Sequence, residues 1–392
     1  MKRLFTVLTV ASMVYVHSAQ AQVGNYFAGY QSGTSNTGNY NAFVGYQASV
    51  NGNSGWYNTF MGYQAGYLST SASYNTFIGS FAGYDNTTGL SNTFVGWAAG
   101  SNNVSASSNS FFGNLAGYSN STGGSNSFFG SASAYLNTTG NQNAFFGSRS
   151  GYNNNGSNNT FIGYATGEKT TTGSWNAFLG GNAGFANTTG EHNTFAGTRS
   201  GVANTTGYRN AFFGTEAGMQ TTTGRENTFI GRSAGRNNTT GSFNTTLGNY
   251  AQTSAGSINY STAIGHKSYV RVSNAVVIGS INGENSANVT TNVGIGTSAP
   301  SYLLHVNGVA AKPGGGSWTV ASDKRLKKDI QPFNEGLDQV LQINPVWFSY
   351  NGKAGMPTDR RYVGIIAQEI QKIAPHTVSE FTHENVEGGK EQ

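Results

Sequence analysis

Asn75-Thr76-Phe77-Ile78-Gly79 is one of fifteen copies of a short pattern, Asn-x-Phe-apolar-Gly, that decides the fold of this 392-residue chain. The phenylalanine, counted below as position 0 of its repeat, falls at residues 27, 43, 60, 77, 94, 111, 128, 145, 161, 178, 195, 212 and 229, and Thr246 and Ala263 continue the column. Twelve intervals are 17 residues and two are 16. Position +2 is always Gly, and position −2 is Asn except at Ser261. A period this strict predicts a stacked array of similar coils.

The length and composition of the repeat predict a mainly β fold. Seventeen residues are too few for a pair of helices, and Asn, Thr, Ser and Gly are poor helix formers. We expect a β-solenoid (β-roll) rod of about fifteen 17-residue coils, each with two short strands and Gly-assisted corners. A second pattern, Asn-Thr-Thr-Gly, recurs at 86–89, 137–140, 187–190, 204–207 and 238–241 and predicts exposed corners. Coils about 4.8 Å apart would stack Phe on Phe in a rod of roughly 70 Å.

The position after the phenylalanine predicts an oligomer. It is apolar in almost every coil, for example Met61, Ile78 and Phe129. Because adjacent strand residues point to opposite faces, both faces of this strand need cover. A thin coil has one interior, so we expect the second face to pack on other copies of the chain. A wider monomeric solenoid with a larger core is the alternative.

The repeats also resemble a known family. Residues 75–79 and 159–163, each followed by a small residue and Gly (Ala82-Gly83, Thr166-Gly167), resemble the head repeats of trimeric autotransporter adhesins. This resemblance implies a homotrimer of intertwined left-handed parallel β-rolls. The period here is longer than that family's, which leaves the cross-section of the coil and its handedness open.

The first 21 residues predict export. Lys2 and Arg3 precede an apolar run, and Ala19-Gln20-Ala21 has the small residues of a cleavage site. We therefore expect a signal peptide over 1–21, a mature chain from Gln22 and an extracellular or cell-surface location. The run is too short for a membrane-spanning helix, and no later stretch is long enough.

The composition excludes several function classes. There is no Cys, and only six acidic residues occur before residue 288, so neither a thiolate site nor the acidic column of calcium-binding rolls is expected. We predict no metal and no cofactor. The net charge of +5 is too diffuse for a nucleic-acid surface. Glu216 and Glu226, in successive coils, are the best candidates for a glycosidase pair, but solvated surface acids are the simpler interpretation.

The remaining surface is rich in Asn, Thr, Ser and Tyr, which suits repeated weak contacts with glycans or surface proteins. Two other interpretations stay open: a purely structural coat fibre, and a glycan-degrading or phage-type tail fibre. Ice binding by a Thr-rich face is a remote one.

The 17-residue period of the repeat is lost toward the C-terminus. We expect the repeat head over 22–290, a neck and Gly-rich linker over 291–321, and a small α+β domain over 322–392. Within that domain, the pattern predicts a helix over 329–343, strands over 346–350 and 362–366, and a helix over 367–373 ended by Pro375.

The C-terminal domain resembles the intramolecular chaperone of endosialidase. The residues concerned are 321–330 (Ala-Ser-Asp-Lys-Arg-Leu-Lys-Lys-Asp-Ile), Pro345-Val346 and 364–369 (Gly-Ile-Ile-Ala-Gln-Glu). The resemblance implies a trimeric module that assists folding of the fibre before it and then cleaves itself off. It places the cut between Ala321 and Ser322, with Ser322 as nucleophile and Lys327 as general base.

The chemistry of this pair sets a condition. Ser322 and Lys327 are five residues apart, which is neither one helical face nor one strand face, so they meet only across a turn or between subunits. The alternative is a basic helix start capped by Ser322 and Asp323. The chain ends at Gln392, before the long C-terminal helices usual in the family, so we expect a shortened module.

Overall fold

The structure is a computed structural model that describes residues 23–254, 256–307, 336–351, 358–359 and 361–378. The predicted signal peptide (1–21) and the predicted scission residues Ala321, Ser322 and Lys327 lie outside these ranges. The chain divides into two compact units, residues 1–293 and 294–392.

The first unit is a parallel β-solenoid, which confirms the predicted fold class. Sixteen strands form one sheet in chain order, apart from two short strands that pair separately. The strands of the main sheet are β1 Tyr26–Ala28, β2 Ala42–Val44, β3 Thr59–Met61, β4 Thr76–Ile78, β5 Thr93–Val95, β6 Ser110–Phe112, β7 Ser127–Phe129, β8 Ala144–Phe146, β9 Thr160–Ile162, β10 Ala177–Leu179, β11 Thr194–Ala196, β12 Ala211–Phe213, β13 Thr228–Ile230, β14 Thr245–Leu247, β16 Thr262–Ile264 and β18 Val276–Ile278. Each position pairs with the same position of the next coil.

Most coils contain one strand rather than the predicted two. The backbone after the strand turns through left-handed angles at position +4, as at Gln64 (φ 53°), and at the Gly of position +6, as at Gly66 (φ 58°). Such angles interrupt an extended chain. The second strand forms only where position +6 is not Gly: β15 Gln252–Thr253 pairs with β17 Tyr269–Val270.

A single ladder of phenylalanine rings fills the solenoid. Twelve of these side chains are fully buried. Each ring stacks on the next coil's ring; Phe60 and Phe77, for example, have centroids 4.6 Å apart. The Gly at position +2 permits this spacing, because a Cβ on Gly113 would lie 2.5 Å from the carbonyl oxygen of Gly130. The apolar core of the first unit is therefore this phenylalanine column together with the buried alanines of position +5, such as Ala116.

Two columns of buried asparagine flank the rings. At position −2, Asn126 accepts a hydrogen bond from the backbone N–H of Asn143 and donates its amide to the carbonyl of Gly140. At position +9, Asn120 donates to Oδ1 of Asn103 one coil earlier. This second column contains the Asn of each Asn-Thr-Thr-Gly. These Asn side chains are buried, so only the Thr-Thr part of the predicted exposed corner faces solvent.

The 16-residue coils keep the register of the ladder. The coil from Phe145 to Phe161 still pairs the two phenylalanines directly. Its missing residue falls in the corner, where Asn154-Asn155-Gly156 replaces the four-residue Asn-Thr-Thr-Gly. Length variation is therefore absorbed in the turn rather than in the strand.

The second unit is small and mixed. β19 Val293–Ile295, which begins at the boundary, pairs with β20 Leu304–Val306. Further along are α1 Leu337–Val340, the antiparallel pair β21 Val346–Phe348 and β22 Tyr362–Gly364, α2 Ala367–Ile373, and a 3-10 turn at Pro375–Thr377. The strands and α2 confirm the predicted elements, with strands shorter than predicted. Of the helix predicted over 329–343, residues 329–335 lie outside the described chain.

Candidate interaction surface and C-terminal module

The residues at position +1 form an exposed apolar ladder along the first unit. Position 0 points inward, so position +1 points outward on every three-residue strand. Leu179 is 52% exposed and Phe146 40%. We call this column the outer ladder; it comprises Val44, Met61, Ile78, Val95, Phe112, Phe129, Phe146, Ile162, Leu179, Ala196, Phe213, Ile230, Leu247 and Ile264.

Aromatic stacking gives the middle of the outer ladder a continuous hydrophobic surface. Phe112, Phe129 and Phe146 stack with centroids 4.8 Å apart. The neighbouring outward column, position −1, holds only small or hydroxyl side chains over this part, such as Ser127 and Ala144. A contiguous apolar stripe of this length is typical of an interaction surface rather than of a solvated one.

Two tyrosine ladders lie beside the strands of the first coils. Tyr30, Tyr46 and Tyr63 stack at position +3, and Tyr40, Tyr57 and Tyr74 stack at position −3. Most of these rings are about half exposed. The surface around them is uncharged, because Asp85 is the only charged side chain from residue 23 to 148. This end of the unit therefore presents aromatic and hydroxyl groups without a net field.

Most carboxylates of the later coils form ion pairs between coils. Glu216 lies 3.3 Å from Arg199 and 3.5 Å from Arg236. Glu226 lies 3.7 Å from Arg209. Glu216 and Glu226, the two acids considered as a glycosidase pair, therefore each form ion pairs with arginine side chains of neighbouring coils. They lie at different positions of the repeat.

Another ion pair lies beside an aromatic ring. Arg149 donates two hydrogen bonds to Glu168, with Nη2–Oε1 at 2.6 Å, and its guanidinium lies 4.9 Å from the centroid of Tyr152. The hydrogen bonds to Glu168, and then its charge, raise the pKa of Arg149.

The described ranges contain no group of three or more His, Asp or Glu side chains placed to hold a metal ion. His192 stacks on Trp175 instead. Over the same ranges, no helix has the length and apolarity required to cross a membrane.

The tyrosine column at position +7 contains a gap that sequence reasoning missed. Tyr67 stacks on Tyr84, and Tyr118 stacks on Tyr135, but Ser101 occupies the rung between the two pairs. The smaller residue opens a notch beside Asp85. Aligning the coils in the sequence would have revealed it, because Ser101 interrupts a run of tyrosines from Tyr67 to Tyr152 in this column.

The second unit exposes most of its apolar side chains. Leu337, Leu341 and Trp347 are each at least 65% exposed, and Ile370 is the only buried residue among those described in this unit. A folded module with so little interior needs further apolar surface to cover it. The predicted scission residues Ala321, Ser322 and Lys327 lie outside the described ranges.

Comparison with known proteins relates the C-terminal module to one family. No curated protein matches the chain, and no solved structure does. One family model matches residues 322–379, a stretch that contains β21, β22 and α2. It is the model of the peptidase family described as the chaperone of endosialidase, and the C-terminal module of the chain is similar to this family.

Proposed function

We propose that this chain forms a secreted or cell-surface homotrimeric fibre with an adhesin-like binding role. In this proposal the C-terminal module assists assembly of the trimer and then cleaves itself off between Ala321 and Ser322. Ser322 acts as nucleophile and Lys327 as general base, as the family resemblance implies.

The outer ladder is the observation that carries the proposal. Its side chains are exposed or half-buried in one chain, yet they are apolar through the whole solenoid. Burying apolar surface contributes about 25 cal/mol per Å². Fourteen stacked rungs on one face therefore give a large, repeated driving force for packing against the same face of sister chains.

The second unit supports the same assembly. Trp347 and Leu341 are exposed on a module that has almost no interior of its own. The family match at residues 322–379 adds to this, because chaperones of this kind act as trimers on the fibre that precedes them.

A triple substitution in the outer ladder tests its role in assembly. Replacement of Phe112, Phe129 and Phe146 by Ser should reduce the mass measured by light scattering from three chains to one, because the central stacked rungs are lost. Replacement of the exposed Thr139, Thr172 and Thr189 by Ala is the matched control and should leave three chains. A wild-type chain that is monomeric at all concentrations would contradict the proposal.

The scission step has its own test. Intact-mass measurement of the wild-type chain should show a fragment ending at Ala321, and Ser322→Ala should abolish it. Lys327→Met should strongly slow the cleavage. Lys327→Arg should slow it as well if Lys327 acts as a base, because Arg keeps the positive charge but stays protonated. Full-length mass in the wild type would remove the autoproteolytic part and leave the fibre proposal standing.

A glycan-degrading role receives less support. The described carboxylates of the later coils mostly pair with arginine, and hydrolysis of a glycoside needs two free carboxyl groups at a set separation.

A further inference from the structure

The notch in the tyrosine column at position +7 has a defined origin. Eight residues line it: Phe81, Tyr84, Asp85, Trp97, Ala98, Ser101, Asn102 and Tyr118. It encloses about 380 Å³. Ser101 fills the place of one aromatic rung, so Tyr84 and Tyr118 stand two coils apart, about 10 Å at the usual strand spacing. That gap fits one flat group between two rings.

Asp85 gives the notch an uncompensated charge. It is the only charged side chain from residue 23 to 148. Its carboxylate forms no ion pair and no hydrogen bond with any residue in the described ranges. Burial raises the pKa of Asp85 and is also the main cause of the raised pKa of the neighbouring Tyr84, to which the Asp85 carboxylate adds. A partly buried anion without a partner favours a cation as its ligand.

The solenoid itself shows which cation fits such a place. Four coils further on, the guanidinium of Arg149 lies 4.9 Å from the ring of Tyr152, a residue of the same position +7 column, and pairs with Glu168. Here a guanidinium lies against a tyrosine ring of this column and forms an ion pair with a carboxylate.

A second example shows a guanidinium between two rings. Arg225 lies 5.6 Å from the ring centroid of Tyr208 in the coil before it and 5.7 Å from that of Phe243 in the coil after it. A planar cation midway between Tyr84 and Tyr118 would lie about 5 Å from each ring, within the range of cation–π attraction.

We propose that the notch binds the guanidinium group of an arginine side chain, inserted between Tyr84 and Tyr118 as the missing rung, with its edge paired to Asp85. A neutral sugar would also stack on these rings, but it would leave the charge of Asp85 uncompensated. The site lies at positions +7 and +8 of its coil, apart from the outer ladder at +1, and does not depend on the proposed trimer or its scission.

Calorimetry on the full-length protein with Nα-acetyl-arginine amide tests the proposal. A lone side chain with two stacking contacts and one ion pair should bind with a Kd in the millimolar range. The citrulline analogue has the same shape without the charge and should bind at least tenfold more weakly. Equal affinity for the two, preferential binding of methyl glucoside, or no saturable binding of the arginine amide would overturn the proposal.

Two variants locate the site. Ser101→Tyr completes the ladder with the residue that Tyr84 and Tyr118 already have at this position, and should abolish binding. Ser131→Tyr, at an exposed position two coils away, is the control and should bind as the wild type does. Asp85→Asn should weaken binding at least tenfold, and Asn102 shows that Asn is accepted at this position. Unchanged affinity in both Ser101→Tyr and Asp85→Asn would place the ligand elsewhere and refute the assignment.

The source of the arginine is a separate arm of the same experiment. A peptide with one central arginine that binds more tightly than the amide would assign the site to a protein partner. Equal affinities would assign it to the free side-chain group.

Discussion

The side-chain oxygen of Asn126 accepts the backbone N–H of Asn143 at 2.9 Å, while the amide of Asn126 donates to the carbonyl oxygen of Gly140 at 2.8 Å. One buried side chain thus satisfies two backbone groups of the following coil. Asn repeats at position −2 for this reason: a carboxylate has no donor, and a hydroxyl would have to accept from one group and donate to the other through a single oxygen, whereas the amide has separate atoms for the two bonds.

Asn126→Ala should therefore be strongly destabilising. It leaves the buried N–H of Asn143 without its partner, at about 1–3 kcal/mol, and removes one of the two side-chain hydrogen bonds to the carbonyl of Gly140, at about 0.5–1.5 kcal/mol; the other comes from Asn137 at 3.3 Å. We expect a loss of about 2–5 kcal/mol in the free energy of unfolding, measured by chemical denaturation. Asn114→Ala, at an exposed position in the previous coil, is the control and should change it by less than about 0.5 kcal/mol. Similar losses in the two variants would show that the buried ladder is not what holds adjacent coils together.

Ala134 is a site where the chain is strained. It occupies position +6 with φ 51°, where the neighbouring coils have Gly117 and Gly151 at φ 59°. Left-handed angles cost a residue with a Cβ about 1 kcal/mol. Ala134→Gly should therefore raise the free energy of unfolding by about that amount, detectable as a higher denaturation midpoint.

The same substitution elsewhere should have the opposite sign. Ala116 is buried at position +5 with a negative φ, so Ala116→Gly should lower stability. Gly117→Ala should lower it further, because a Cβ there would lie 2.5 Å from the ring of Phe111. A destabilised Ala134→Gly variant would contradict this account of the column.

Phe128 and Phe129 are neighbours on one strand with opposite environments. Phe128→Ala removes a fully buried ring and should lower stability by about 3–5 kcal/mol at any protein concentration. Phe129→Ala changes the outer ladder. If the ladder packs between chains, its effect on the melting temperature should depend on protein concentration, because assembly is linked to stability by mass action. A concentration-independent effect of Phe129→Ala would count against the trimer.

Asp85 predicts an unusual dependence of stability on pH. Burial raises its pKa above the ordinary 3.8, so just above pH 3.8 the folded chain retains a proton that the unfolded chain has released. The contribution of Asp85 to stability therefore increases as the pH falls through the raised pKa, and is unfavourable at neutral pH.

Asp85→Asn should accordingly be more stable than the wild type at pH 7. The group is partly solvated, so we expect an effect of about 0.5 kcal/mol or less. The difference between the two proteins should shrink as the pH approaches 3.8, as followed by thermal unfolding at several pH values. A variant that is less stable at pH 7 would mean that Asp85 has a cationic partner.

Much of the fold could be predicted because the repeat places the same residue types at the same positions. Phe at position 0 and Gly at +2 define a coil with one inward ring and close backbone contact, and the structure has both. In the second unit, α2 was predicted to the residue because Pro375 and the preceding apolar spacing leave little choice.

Other features could not be read from one coil. The predicted second strand is missing from most coils because position +6 requires a left-handed backbone angle. In the sequence, Gly at that position is equally compatible with a corner and with a site of close packing. The notch at Ser101 depends on a comparison between three successive coils. In the proposed trimer the cover of the outer ladder comes from other chains, which the pattern of one coil does not define. The scission residues Ser322 and Lys327 stay a prediction from family resemblance.

The register of the ladder has a consequence for how such a protein changes over generations. Because Phe111 contacts Phe94 and Phe128 through the same positions, excising one whole coil would bring together two surfaces that already match. Duplication or loss of a repeat alters the reach of the molecule in steps of about 4.8 Å while every remaining neighbour relation is preserved. Selection can therefore change the length of the molecule through the number of coils. It can change what the molecule binds separately, through the few positions, such as Ser101, that break the pattern.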